Sequence, residues 1–458
     1  MKVKHRSMPV IRFHEGTLIL EDWDAKDAPP YFRWDHRQRI WRAMALYYPQ
    51  ILAFFNKRDV KVRDEAVSFT RLDLRPRMNF ELHFYQKEAL DAWESAGSRG
   101  SVVLPTGSGK SYVALKAIEM VNQSTLIVLP TIDLMNQWYD LLTDSFGTEV
   151  GILGGGYHQV APITVATYDS AYLYIDRYGD CFALLVFDEV HHLPSPKNSH
   201  IPQMSIAPYR LGLTATYRRL DNRQRMLDPL IGRVVYRKTI DDLKGEHLSD
   251  YEIHRLSVEL APQERNEYQA EKEVYEVYVR ESGVRYYGSR WERFIKESAY
   301  DRHARRAMVA RTQLRRIIWG SERKLDLLES LLKRHHKERV IIFTENNDLV
   351  YRISQRHLIP AITHHTRTVE RKEILDRFRE GTYRMIVTSK VLNEGVDVPE
   401  ANVAIILSGN ASPREYLQRL GRILRKKSGK KAMLYEVVIQ GTDEVGISYR
   451  RRRDDAYV

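Results

Sequence analysis

The residues best suited to chemistry begin at Leu104-Pro105-Thr106-Gly107-Ser108-Gly109-Lys110-Ser111, which follows a β-rich apolar run and precedes the helical pattern Tyr112 to Met120. Strand, glycine-rich turn and helix in that order are the setting of a phosphate-binding loop. Gly107 and Gly109 let main-chain N–H groups close around phosphate oxygens at a helix N-terminus. Lys110 then reaches the β and γ phosphates, and Ser111 is a ligand for Mg²⁺. The strict pattern has glycine at the position that Leu104 occupies here. About eighty residues on, Asp188-Glu189-Val190-His191 closes another apolar strand, Ala183 to Phe187. Two acids at the carboxyl end of a strand divide the labour of nucleoside triphosphate hydrolysis: Asp188 holds Mg²⁺ through water, and Glu189 orients and deprotonates the attacking water. A Gly-Ser-Gly turn alone is a loop, and an acidic pair alone is a solvated turn; their order along the chain favours the catalytic reading. His191 and His192 have no His-x-x-x-His or cysteine partner nearby, so His191 is read as a coupler of nucleotide state rather than a metal ligand.

These loops need a parallel sheet behind them. Short β-rich runs alternate with helical segments at Ser101 to Pro105, Thr125 to Pro130, Ile163 to Tyr168, Ala183 to Glu189 and Arg210 to Thr216. The rhythm resumes at Arg339 to Asn346, Ala361 to Thr366, Arg384 to Ser389, Asn402 to Gly409 and Ala432 to Val438. Two parallel-sheet α/β domains are implied, with ligands at the carboxyl ends of their strands. Pro262 to Gly320 lacks strand rhythm and reads as charged helices, an insertion rather than a linker. An aromatic-rich N-terminal unit carries an expected helix from His36 to Phe55 and reads as a small αβ domain. The expected divisions are 1–75, 76–250, 251–320 and 321–458.

The 458 residues carry 72 Lys and Arg against 60 Asp and Glu, a net charge of +12 that favours a polyanionic partner where the cations cluster. From Arg280 to Arg316 they do, with eleven Lys and Arg against four acids and aromatics between them. The competing picture is an arginine-rich solvated helix pair with its aromatics turned inward, and it is the better one for any single ring. Hydrophobic residues at 43% exclude a disordered chain, and a single cysteine, Cys181, excludes an internal disulfide or a cysteine-based zinc site. The longest apolar runs are of strand length, so no membrane span is expected, and the chain reads as cytoplasmic, working with the chromosome.

Together these residues resemble superfamily 2 helicases. Tyr85-Gln86 looks like the adenine-reading Q motif and Leu213-Thr214-Ala215-Thr216 like motif III, which makes Thr214 and Thr216 coupling residues. Thr388 to Asp397, with Gly395 and Asp397, looks like motif V, and Gln418 to Arg425 like motif VI. In that motif Arg422 and Arg425 are placed to act as arginine fingers on the γ-phosphate beside Gln418. Within the superfamily the chain is similar to the XPB helicase family, especially its short archaeal form. The resemblance implies two RecA-like domains, a damage-recognition domain at the N-terminus and a thumb-like module at the insertion. Arg219-Leu220-Asp221 stands where the family has an Arg-Glu-Asp element that engages DNA, with the central acid missing.

Strand contacts implied by the resemblance are Pro130, Thr131, Gln137 and Thr167 in the first α/β domain, and Phe343, Thr344 and Thr388 in the second. Arg219 and Asp221 join them, as do Arg285, Arg290 and Trp291 in the insertion. Such contacts touch the nucleic-acid backbone, so the residues do not separate DNA from RNA; DNA follows from the resemblance. The implied activity is ATP- and Mg²⁺-dependent 3′ to 5′ DNA unwinding or translocation in nucleotide excision repair and in promoter opening. The expected protein is a monomer acting on forked, bubble or damaged DNA, with a repair nuclease as a candidate partner. The alternatives are an ATP-dependent DNA clamp or scaffold for a repair nuclease, an RNA helicase and a restriction translocase.

Overall fold

A computed structural model describes residues 8–24, 29–77, 81–219, 221–243, 250–283, 289–389, 401–409 and 431–451. Two compact units divide the chain close to Asp242.

The first unit opens with a five-stranded sheet in the order Arg33–Asp35, Ile40–Met44, Thr17–Glu21, Val10–His14, Arg63–Asp64. Its pairs are antiparallel except the last. The helix expected from His36 to Phe55 is corrected to Tyr48–Lys57, preceded by the strand Ile40–Met44. Alternation decides the first half: Trp41 and Ala43 are buried while their neighbours are not, a period of two that a helix would scatter. Pro49, in the first turn, starts the helix where its missing N–H costs nothing. Ile51 and Phe55 of that helix close the small core over Ile11, Leu18, Leu20 and Trp41.

This core continues into the next layer. Ile206 belongs to it, and Leu46 belongs to the core of the following domain. The segment after the small sheet is strapped across the same domain. Thr70 O accepts from Ser124 N at 2.8 Å, Leu72 N donates to Asn122 O at 3.0 Å, and Arg77 N donates to Ser145 O at 2.7 Å.

The eight-stranded sheet that follows has the order Val234–Arg237, Arg99–Val103, Tyr209–Thr214, Leu184–Asp188, Thr125–Leu129, Ile163–Thr167, Val150–Gly154, Tyr157–Gln159. All pairs are parallel except the terminal hairpin. Thr125–Leu129 and Leu184–Asp188 are buried along their whole length, as central strands covered on both faces require. Helices leave the strand ends through side-chain caps: Thr131 accepts from Leu134 N, and Thr167 from Ser170 N.

The second unit holds a six-stranded parallel sheet in the order Asp250–Val258, Lys431–Ile439, Val403–Ile406, Val340–Phe343, Met385–Thr388, Ala361–Ile362. Asp250–Val258 falls within the range assigned above to the insertion, yet it pairs in register with Lys431–Ile439 over its full length. The helices Pro262–Ser282, Ser289–Tyr300 and Arg302–Gly320 follow. Ala304, Ala307 and Ala310 share one buried stripe with Leu314 and Ile318, and pack with Tyr268, Tyr275 and Phe294. A buried ion pair ties this unit together. Lys324 Nζ lies 2.7 Å from Glu444 Oε1 and 2.6 Å from Leu407 O, and Glu444 Oε2 accepts from Ile439 N at 2.8 Å. No helix among the described residues is long and apolar enough to cross a membrane.

Candidate functional site

Three neighbouring strands of the eight-stranded sheet bring the sequence motifs level. Val103 pairs with Thr214, and Leu213 with Asp188, so the phosphate loop, motif III and the acidic pair leave the sheet at one edge. The loop turns through Gly107 at φ +86 and Gly109 at φ +73, a left-handed conformation that L side chains rarely adopt. A Cβ on Gly109 would also lie 2.6 Å from Gln86 Nε2.

Tyr85 and Gln86 support this loop from beneath. The Tyr85 hydroxyl donates to Ser108 O at 2.8 Å, and Gln86 Nε2 donates to Ser108 O at 2.8 Å and Gly109 O at 3.2 Å. Gln86 Oε1 accepts from His83 N at 2.9 Å and so fixes the amide orientation. Both residues are buried. Pro105 O accepts from the Ser108 hydroxyl at 2.7 Å, and Lys110 Nζ rests on Leu104 O and Pro105 O, each at 3.2 Å. The Thr106 hydroxyl is buried in the same loop without a hydrogen-bond partner among the described residues. Ser111 opens the helix Lys110–Val121 directly after Lys110.

Asp188 is buried at the end of its strand, with Oδ2 accepting from Trp138 Nε1 at 3.0 Å and Oδ1 from Glu189 N at 3.0 Å. Burial, and next the charge of Glu189, push its carboxyl up to about 6 against the opposing pull of Lys110 and the two N–H donors. Glu189 sits at φ +49, in the left-handed region. Its Oε2 is 3.2 Å from Thr214 Oγ1 and 3.3 Å from His191 Nδ1, and His191 Nδ1 is 2.9 Å from Thr214 Oγ1. Thr214 Oγ1 also reaches Thr216 O at 3.1 Å and accepts from Thr216 N at 3.1 Å. One hydroxyl proton thus has competing acceptors, an arrangement able to shift with charge at Glu189. Arg219 donates to His191 O and grips both Asp221 oxygens at 2.9 and 2.8 Å.

Trp138 and Tyr168 were not singled out by sequence. The Tyr168 hydroxyl donates to Asp188 O at 3.3 Å. An aromatic on an amphipathic helix carries no signal beyond core packing, so only the fold shows where these polar tips go.

The strand contacts divide into two groups. Pro130, Thr131 and Thr167 sit at the paired ends of adjacent strands, and Gln137 is half-buried on the helix that Thr131 caps. Phe343, Thr344 and Thr388 are also at paired strand ends, but all three are fully buried. Thr344 Oγ1 is turned to Asn346 O at 3.0 Å and Thr388 Oγ1 to Ser389 O at 3.2 Å. In the insertion, Trp291 is half-buried under the Arg311 guanidinium, 4.3 Å from the ring centroid, and meets Phe294 edge-on. Gly395, Asp397, Gln418, Arg422, Arg425 and Arg285 lie outside the described residues, as does the side chain of Arg290. No group of three or more His, Cys, Asp and Glu side chains suited to a metal ion occurs among the described residues.

Three family models match the sequence. They are the Xeroderma pigmentosum group B helicase damage recognition domain over residues 11–66, the type III restriction enzyme res subunit over 79–219, and the helicase conserved C-terminal domain over 323–427. The DNA 3′-5′ translocase XPB2 of Sulfurisphaera tokodaii is 40% identical over 97% of this chain and 100% of its own length. The DNA 3′-5′ helicase XPB of Mycobacterium tuberculosis is 30% identical over 82% of this chain, which spans 63% of that longer protein. Among solved structures, the helicase domain of Pyrococcus furiosus Hef shares the fold, with a TM-score of 0.54 at 18% identity over 81% of this chain and 98% of that one. With a relative matched from end to end and both helicase domains and the N-terminal domain recognised in sequence order, the chain belongs to the XPB family of superfamily 2 helicases.

Proposed function

We propose that this chain is an ATP-driven 3′ to 5′ DNA translocase and helicase that opens or remodels DNA in nucleotide excision repair. The observation that carries the chemistry is the level edge of three strands, where Lys110, Asp188, Glu189 and Thr214 converge. The printed names of the relatives, a DNA translocase and DNA helicases of 3′-5′ polarity, support the substrate and direction.

The loop fits a triphosphate. Lys110 Nζ is held by two carbonyl oxygens that phosphate oxygens would replace, the buried Thr106 hydroxyl has a donor to give, and Gly107 and Gly109 leave room for close approach. Ser111 and Asp188 suit Mg²⁺, which P-loop enzymes hold through one hydroxyl, one carboxylate, water and the phosphates rather than through a protein cage. The raised carboxyl of Asp188 fits the same role, since a nearby divalent cation favours its ionised form. Bound there, the ion supplies charge neutralisation on the phosphates. Glu189 Oε2 takes the proton of the attacking water, and Thr214 and His191 hold that carboxylate in line. Gln418, Arg422 and Arg425 are assigned by their motif to the charge that builds on the γ-phosphate. The N-terminal domain is assigned to distorted DNA, and the cationic helices of the insertion to the duplex backbone.

Strand displacement tests this reading, using duplexes that carry a 3′ or a 5′ single-stranded tail in matched DNA and RNA forms. The expected result is ATP-dependent displacement from the 3′-tailed DNA, lost in Lys110→Ala. Equal action on RNA, or a preference for the 5′ tail, would overturn it.

A further inference from the structure

Arg219 joins two places that the sequence treats separately. One guanidinium N–H reaches His191 O, inside the short turn Val190–His192. The opposite edge forms a two-point pair with Asp221 at 2.9 and 2.8 Å. His191 is fully buried, and its Nδ1 lies 2.9 Å from Thr214 Oγ1 and 3.3 Å from Glu189 Oε2. A displacement of the His191 main chain therefore acts on a group that touches the Glu189 carboxylate. The far end of the relay is open, the side chains of Arg219 and Asp221 being 21% and 41% exposed. The Arg219 guanidinium, with help from Arg223 and its N–H, holds the Asp221 carboxyl well below the usual carboxylate range, so Asp221 stays a charged occupant of the guanidinium fork.

We propose that Arg219 is a positioning residue for hydrolysis, and that a nucleic-acid phosphate competes with Asp221 for its guanidinium and so resets the turn that holds His191 and Glu189. Carboxylate and phosphate both fit the planar fork at two points, which makes Asp221 an internal stand-in for phosphate. With Asp221 in place the relay is in its resting position. With phosphate in place the Arg219 head group moves and the His191 turn shifts with it, so that His191 and Thr214 bring the Glu189 carboxylate into line with the water it activates. The inference rests on the helicase reading above and gives it a regulatory route from DNA to the acidic pair.

The test is steady-state ATP hydrolysis by the full chain with and without saturating single-stranded DNA, in Arg219→Ala, Arg219→Lys, Asp221→Asn and wild type, alongside DNA affinity and the KM for ATP. Both Arg219 variants are expected to lose stimulation by roughly tenfold, within the range that coupling between two sites commonly takes, while the KM for ATP is unchanged. Lysine keeps the positive charge and most DNA affinity but lacks the fork, so loss of stimulation in Arg219→Lys separates coupling from plain phosphate binding. Asp221→Asn is expected to raise the DNA-free rate, because the resting competitor is gone. Full stimulation of Arg219→Ala or Arg219→Lys at saturating DNA would overturn the proposal, as would an unchanged DNA-free rate in Asp221→Asn. A wild type that DNA does not stimulate would overturn the helicase reading together with it.

Discussion

Replacing Asp188 with asparagine separates what the residue does for hydrolysis from what it costs the fold. In the native protein its carboxyl is pushed up to about 6 by burial and by Glu189; in the unfolded chain it titrates near the ordinary value of about 3.9. The native state therefore binds the proton more tightly, and stability contributed by this site falls as pH rises through the window from about 4 to 6. Above that window the buried charge carries its whole penalty, about 3 kcal/mol for a shift of roughly two pH units at 1.36 kcal/mol each. Asparagine does not titrate. It accepts one N–H where the carboxylate accepts two, from Trp138 and Glu189, so it carries a constant offset of about 1 kcal/mol that does not vary with pH. The quantity to follow is the difference in stability between Asp188→Asn and wild type, which should move in favour of the variant by about 3 kcal/mol between pH 4 and pH 8. Unfolding of a chain with two units is not one equilibrium, so the assay is native-state hydrogen exchange of peptides covering Leu184–Asp188, compared between proteins at each pH. Millimolar Mg²⁺ with nucleotide should protect these peptides in wild type and not in the variant. A difference that stays flat across that pH range would refute the reasoning, because burial would then not be raising the Asp188 carboxyl as described.

Other consequences are as direct. Gln86→Ala strips two carbonyl oxygens of a buried donor and should raise the KM for ATP more than it lowers kcat, with a local stability loss of about 1–3 kcal/mol; equal KM in steady-state kinetics would contradict the supporting role. Lys324→Ala leaves Glu444 charged and unpaired in a buried site, a loss of about 3–5 kcal/mol, whereas Lys324→Met with Glu444→Leu should recover most of it; denaturation of all three variants checks the order. Deleting residues 1–75 removes Leu46 from the following core, uncovers Ile206 and breaks the strap at Ser124 and Asn122, so the shortened chain should melt lower and expose apolar surface to a hydrophobic dye. An unchanged melting temperature would show that the N-terminal domain only rests on its neighbour.

Much of the helicase scaffold was legible because buried parallel strands are written as short apolar runs, and Thr125–Leu129 and Leu184–Asp188 fall within a residue or two of where those runs lie. Glycine-lysine spacing and an acidic strand end are equally local signals. What escaped was written in tertiary context. Ile40–Met44 holds apolar residues that suit a helix as well as a strand, and only pairing with Thr17–Glu21 and Arg33–Asp35 chooses. Asp250–Val258 mixes polar and apolar residues without a strict alternation, and its partner, Lys431–Ile439, lies far along the chain. The support of the phosphate loop by Tyr85 and Gln86, and the bond from Trp138 to Asp188, depend on where a polar tip points after folding. Phe343, Thr344 and Thr388 are buried at paired strand ends, a burial that motif position alone does not reveal.

Turnover of Glu189→Gln tests the central claim most directly, since glutamine keeps the shape and the hydrogen bond from Thr214 while removing the proton acceptor. With saturating Mg-ATP and single-stranded DNA, the account predicts hydrolysis lower by roughly 10²-fold or more, the usual worth of a positioned general base, with nucleotide still bound. Hydrolysis within a few-fold of wild type would contradict it.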